Sequence, residues 1–300
     1  MWRAVVLASA TMLLPALSGC AALTGDDSGK PSVVAAFYPY AWVAQQVAGT
    51  HADVINLTQP GLEPHDLELT PRQVGDLSIA DLVIYEQGFQ PSVDEAVDQN
   101  AEGSTLDVTD VVPLEDTGAP TEDGEGLSGD PHLWQDPTLL AQVVAQVEKE
   151  LVAIDPAHTP AYRRNADKLA DELDQLDQDF TDGLASCERR EFVTSHAAFG
   201  YLARRYDLTM IPIAGLSPDV EPSPQHLSQI QDLIESDGIT TVFSETLGSK
   251  EYAETLAGDL GVDAAVLDPI EGLPDESSDE DYLSLMRENL AALQKANDCS

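Results

Sequence analysis

Six histidines are spread along the chain, and three of them share a setting. His65 lies in Pro60-Gly61-Leu62-Glu63-Pro64-His65-Asp66, His132 in Asp130-Pro131-His132-Leu133-Trp134, and His196 in Thr194-Ser195-His196-Ala197. Each stands near a strand end or in turn-rich sequence, beside Pro or Ser. Asp268, in Leu267-Asp268-Pro269, ends a strand-like run in the same way. Three imidazoles and one carboxylate make a tetrahedral N3O set, which suits Zn2+. Taken singly, each histidine reads equally as a surface or hydrogen-bonded side chain, and no compact H-E-x-x-H or Cys-rich signature is present. Glu245 also ends a β-branched run; it is a candidate to orient a ligand imidazole, or alternatively to ligate. His51, His158 and His226 sit in polar stretches and receive no role.

Positioning such distant residues requires a particular architecture. Short apolar runs at 33–37, 53–57, 82–85 and 105–108 alternate with helical patterns, for example at 41–48 and 90–99. The alternation resumes at 192–194, 208–213, 240–244 and 264–267, and a last helix is expected over about 280–296. This is the pattern of parallel βαβ units, in which ligands bind beyond the carboxyl ends of the strands. Between the halves, Leu139, Val143, Val147, Leu151 and Ile154 recur at helical spacing. Leu169, Leu173, Leu176, Phe180 and Leu184 do so again after Pro160, which predicts a helix from Pro160 to Ser186. The expected class is α/β, with two lobes of mainly parallel sheet joined by one long helix.

Charge and the termini narrow the setting. The 300 residues carry 54 Asp and Glu against 14 Lys and Arg, a net charge of −40. Such a surface repels phosphate backbones and favours cations, so nucleic-acid binding is not expected. Residues 4–17 form an apolar stretch behind Arg3, too short to span a bilayer but fitting a signal peptide. It ends in Leu17-Ser18-Gly19-Cys20, which resembles a bacterial lipobox, with Cys20 as the lipidated residue; an ordinary signal peptide with a chance cysteine is the alternative. Cys187 and Cys299 remain, an even number in an exported protein, so a disulfide is expected, with two buried free thiols as the alternative. Residues 115–130 (EDTGAPTEDGEGLSGD) are Gly-, Pro- and acid-rich and read as a loop.

In order along the chain, PGLEPHDLELTP, ADLVIYEQG, DPHLWQDP, SHAAFGYLARRY, FSETLGS and VLDPI resemble the metal-binding solute-binding proteins of bacterial ABC importers, the cluster 9 or A-I group that includes the zinc-uptake type. The resemblance runs from about residue 33 to the C-terminus. Behind the signal peptide (1–20) and a tether (21–32) read from composition, it implies an N-terminal metal-binding lobe (33–154), a linking backbone helix (155–187) and a C-terminal metal-binding lobe (188–300). It further implies a metal held by His65, His132, His196 and Asp268, and a membrane permease as the partner. Imidazole at position 196, where manganese-selective relatives are expected to carry a carboxylate, favours zinc; a manganese or iron importer component is the alternative. Some zinc relatives carry a His-rich acidic loop, whereas residues 115–130 contain no histidine, and Pro64 stands where some carry Glu. Four protein ligands leave no open position for an activated water, so capture is expected and not catalysis. A zinc hydrolase with Glu245 as base and a surface adhesin are the readings from other classes. A monomer is expected, held by Cys20 on the outer face of the cytoplasmic membrane, or periplasmic.

Overall fold

Strand β1 (Ser32–Ala35) has four residues, of which the apolar last three are fully buried. In a computed structural model, which describes residues 29–118, 129–275 and 279–300, it lies at the centre of the first of two parallel sheets. Its neighbours are β2 (Asp53–Asn56) and β3 (Leu82–Tyr85), with β4 (Ser104–Asp107) beyond β3. Val34 pairs with Ile55 on one side and Val83 on the other. The second sheet repeats the order: β5 (Glu191–Thr194) lies between β6 (Thr209–Pro212) and β7 (Thr241–Ser244), and β8 (Asp263–Val266) flanks β7. Parallel neighbours require crossovers, and helices supply them.

Those helices start where local chemistry permits. Helix α1 (Tyr38–Ala48) carries Pro39 in its first turn and stops at Gly49, whose φ of 58° is a conformation glycine adopts without cost. It therefore takes in Tyr38 and Tyr40, and both are buried. Helix α2 (Pro71–Ile79) opens with a reciprocal cap between Thr70 and Gln73, and α3 (Pro91–Asn100) begins on proline. Helix α4 (Pro137–Ile154) is capped by the Asp136 carboxylate, which accepts the Thr138 N–H.

Helix α5 (Thr159–Leu184) has 26 residues, about 39 Å at 1.5 Å per residue. Leu169, Leu173, Leu176, Phe180 and Leu184 form a single buried stripe along it. The helix packs against α1 and α4 from the first half and against α9 (Tyr282–Ala296) from the end of the chain. One continuous core thus joins residues of both halves, while a smaller cluster around Ile211, Ile230, Ile234 and Val242 fills the far side of the second sheet. There α6 (Gly200–Arg205), α7 (Pro224–Asp237) and α8 (Glu251–Leu260) complete the crossovers.

A disulfide joins Cys187, just beyond α5, to Cys299, just beyond α9, 112 residues later. Around it Arg189 N–H donates to the Asn297 carbonyl at 3.1 Å, and Asn297 Nδ2 donates to the Arg189 carbonyl at 3.1 Å. Cys20, the leader and residues 119–128 of the acidic segment lie outside the described residues. Among the described residues no helix is long and apolar enough to cross a membrane.

Candidate metal centre

The carboxyl ends of both sheets face a common cleft. His65 arrives on the loop after β2, His196 two residues after β5, and Glu245 directly after β7. His132 precedes a short helical turn leading into α4. The four-residue stretch after Leu267 brings in one more acid, Glu271.

His65, His132, His196 and Glu271 each aim one donor atom at a shared point, and these atoms lie within 4.8 Å of one another. The Glu271 Oε1 is 3.2 Å from His196 Nε2, 3.3 Å from His132 Nε2 and 3.5 Å from His65 Nε2. All four residues are buried. Among the described residues neither His65 Nε2 nor Glu271 Oε1 has a hydrogen-bond partner. Buried polar atoms left unpaired are costly, and a cation placed among them would satisfy both. Three imidazole nitrogens and one carboxylate oxygen are a donor set suited to zinc.

Each imidazole is aimed by a second contact. His132 Nδ1 lies 2.8 Å from Asp130 Oδ1, which also accepts the His132 backbone N–H at 2.9 Å. His196 repeats the device with Glu245: 2.6 Å from Nδ1 to Oε1, and 3.1 Å from the backbone N–H. Carboxylates on Nδ1 leave Nε2 to face the metal and raise the basicity of the ring. Among the described residues no carboxylate holds the His65 Nδ1 in this way; its backbone N–H donates to Glu63 at 2.9 Å, and its ring meets Phe89 edge-on at 4.5 Å.

Asp130 is itself held from the other half of the chain. Tyr201 donates to its backbone carbonyl at 2.9 Å and accepts the Glu115 N–H at 2.9 Å. The Thr117 hydroxyl donates to Asp130 Oδ2 at 2.6 Å, and Arg204 pairs with Glu115. A Cβ at Gly200 would come within 2.3 Å of the Thr117 hydroxyl and 2.5 Å of Asp130 Oδ2, so only glycine lets the segments meet.

The charges follow from this packing. Burial opposes a proton on His132, but the neighbouring Asp130 and Glu271 carboxylates outweigh it and raise the ring to about 9. Burial likewise opposes charge on His196, yet Glu245 and Glu271 hold it well above the usual histidine range. His65 is lowered by burial despite Glu271. Glu271, though buried, is held well below the usual carboxylate range by His196 and His65. Burial and the nearby Glu271 charge push Glu63 up to about 8. Burial also pushes Glu86, whose partner is the Tyr40 hydroxyl, up to about 8.

Of the residues singled out from sequence, the structure gathers His65, His132 and His196 and sets Glu245 against His196. Asp268 does not belong to the group, and Glu271 stands in the place expected for it. The reason is local: Asp268 Oδ1 accepts the Ile270 N–H at 2.7 Å, and its backbone is tied to Asn289. Asp130 and Glu271 carried no role in the sequence reading. The signals were Asp-Pro-His spacing for one and, for the other, a second acid three residues after Asp268 in the otherwise apolar stretch Val266-Leu267-Asp268-Pro269-Ile270-Glu271-Gly272-Leu273. His51 and His158 stack on each other at 4.1 Å, and His226 Nε2 lies 3.0 Å from the Pro212 carbonyl; none joins the cluster.

The high-affinity zinc uptake system protein ZnuA of Bacillus subtilis (strain 168) is 32% identical over 311 residues, covering 98% of this chain and 97% of its own length. The crystal structure of the Zn(II)-bound ZnuA-like domain of Streptococcus pneumoniae AdcA superposes with a TM-score of 0.76 at 33% identity, over 90% of this chain and 100% of that one. The laminin-binding protein Lmb of Streptococcus agalactiae, described as bifunctional with adhesin and metal transporting activity, superposes at 0.78 and 30% identity, over 89% of this chain and 99% of that one. Residues 33–296 match the ZnuA family, zinc-uptake complex component A, periplasmic, and the chain belongs to that family of solute-binding transport proteins.

Proposed function

We propose that this chain is the extracytoplasmic binding component of an ABC importer, which captures Zn2+ between its two sheets and delivers it to a membrane permease. The observation that carries the reading is the meeting of His65 Nε2, His132 Nε2, His196 Nε2 and Glu271 Oε1 within 4.8 Å, two of them without any other partner. A closed set of four protein donors holds a metal and leaves no position for an activated water, which is the chemistry of carriage. Zinc is favoured over manganese because three of the donors are imidazoles. Cys20 is proposed as the lipidated residue that keeps a monomeric chain at the membrane surface.

The test is metal content and competitive titration of the purified chain without an added histidine tag. One zinc per chain, bound more tightly than manganese, is the expected result. Preference for manganese would overturn the metal, and no stoichiometric metal would overturn the function. The described Lmb activity supports a second reading, adhesion to laminin. Laminin binding by the metal-free chain would favour it.

A further inference from the structure

Glu271 reaches the cluster because the chain after β8 makes an unusual turn. Leu267 N–H donates to the Ser244 carbonyl at 3.0 Å and ends the strand pairing. Asp268 is then pinned by Asn289 of α9, which accepts its N–H at 2.8 Å and donates to its carbonyl at 2.6 Å. Two residues on, Ile270 has a φ of 60°. A β-branched side chain in the left-handed region is strained and persists only where its surroundings hold it. The holder is the Asp268 carboxylate, whose Oδ1 accepts the Ile270 N–H at 2.7 Å while Thr246 hydrogen-bonds the same carboxyl group.

The segment is also fastened on both sides of Glu271 by the first half of the chain. The Pro269 carbonyl accepts from Trp134 Nε1 at 2.7 Å and from Gln135 Nε2. The Leu273 carbonyl accepts from Gly61 N–H at 2.7 Å. Trp134 and Gln135 follow His132 by two and three residues, so one donor residue and the carrier of another are locked together.

We propose that Asp268 is a positioning residue for the metal site: by holding Ile270 in the left-handed turn it places the Glu271 carboxylate against the three imidazoles without touching the metal. This rests on the assignment of Glu271 as the fourth donor. The Asp268 carboxylate is occupied by the Ile270 N–H and Thr246, so the contribution of Asp268 is to geometry. Asparagine retains the Oδ1 acceptor and preserves the turn; alanine lacks it and frees Ile270 to relax. Glycine at 270 adopts the same φ unaided.

The test compares Asp268→Asn, Asp268→Ala, the double variant Asp268→Ala/Ile270→Gly and Glu271→Gln in the full chain. Zinc alone is titrated against a chromophoric chelator, and the visible spectrum of the Co2+-loaded protein reports coordination geometry. Asp268→Asn is expected to stay within about threefold of the parent with the same cobalt spectrum. Asp268→Ala should lose about ten- to a hundredfold in affinity, the range of lost outer-shell support, with weaker cobalt bands. The double variant should recover most of that loss. A Glu271→Gln variant that binds zinc unchanged would sink the ligand assignment itself, whatever the Asp268 series gives. With that assignment standing, an asparagine variant as weak as alanine would mark Asp268 as a ligand, and an alanine variant of full affinity would remove its role. If the alanine chain does not fold, the near-isosteric asparagine variant still decides between ligand and positioner.

Discussion

The Glu271 Oε1 lies 3.2 Å from His196 Nε2, with the carboxylate entering from the turn after β8 and the imidazole from the loop after β5. Both atoms belong to the second half of the chain, yet the same oxygen is 3.3 Å from His132 Nε2, which the first half supplies. One carboxylate oxygen therefore sits where the two halves meet. Replacing Glu271 by Gln removes the only anionic donor of the group and should weaken zinc by roughly a hundredfold or more, above the usual cost of losing outer-shell support. Competitive titration checks this, with circular dichroism to show that the fold persists.

Zinc uptake should expel protons at neutral pH. In the metal-free chain His132 titrates near 9 and His196 well above the usual range, so both rings carry protons at pH 7 that zinc must displace. Affinity is expected to rise with pH from neutral through about 9, where His132 loses its proton, and calorimetry in buffers of different ionisation enthalpy should register about one to two protons released per zinc. Overlapping enthalpies in all buffers would contradict this.

Metal-free stability should run the opposite way. A raised histidine stabilises the folded chain fully below its unfolded value, about 6.5, and that contribution is lost as pH rises through the folded value. For His132 the window is therefore about 6.5 to 9. Glu271, held low, contributes above its unfolded value of about 4.5 and loses that contribution as pH falls through its depressed folded one. The ion cluster is most stabilising between those limits, and melting of the metal-free chain should decline from pH 6.5 to 9 while the zinc-loaded chain does not follow it.

Asp130→Asn and Glu245→Gln remove the negative charge behind His132 and His196. Each should cost about ten- to a hundredfold in zinc affinity with little change in the fold. Tyr201→Phe removes the hydroxyl that bridges Glu115 and Asp130 and should cost about 1 kcal/mol of stability, measured by denaturant unfolding.

The disulfide contributes through the unfolded chain. Cys187→Ser with Cys299→Ser opens a loop of 112 residues, and the chain-entropy relation gives a loss of about 4–5 kcal/mol. Zinc affinity at low temperature should be unchanged, because neither cysteine is a member of the metal-donor group.

Much of the architecture is legible before any coordinates. Leu82-Val83-Ile84-Tyr85 is a strand because its run is apolar enough for a sheet covered on both faces, and it is β3. The Leu169-to-Leu184 stripe specifies one buried face of α5. Strand-end placement likewise brings out His65, His132 and His196. The fourth donor is hidden by backbone conformation: a strand-end rule points to the first acid after β8, Asp268, whereas the left-handed Ile270 carries the next acid into the cleft. No periodicity encodes a single residue at positive φ. Asp130 is hidden differently, since its contact with His132 is local but its own support comes from Tyr201, 71 positions away.

The bond between Cys187 and Cys299 makes the second sheet and its helices part of a covalent ring. A protease that cuts once inside that ring severs the backbone but releases no fragment, because the two pieces stay joined through the Cys187–Cys299 bond. The residues His196 and Glu271 lie on this ring, so a nicked molecule keeps them on one covalent body. A single cut there leaves one molecule, not two fragments.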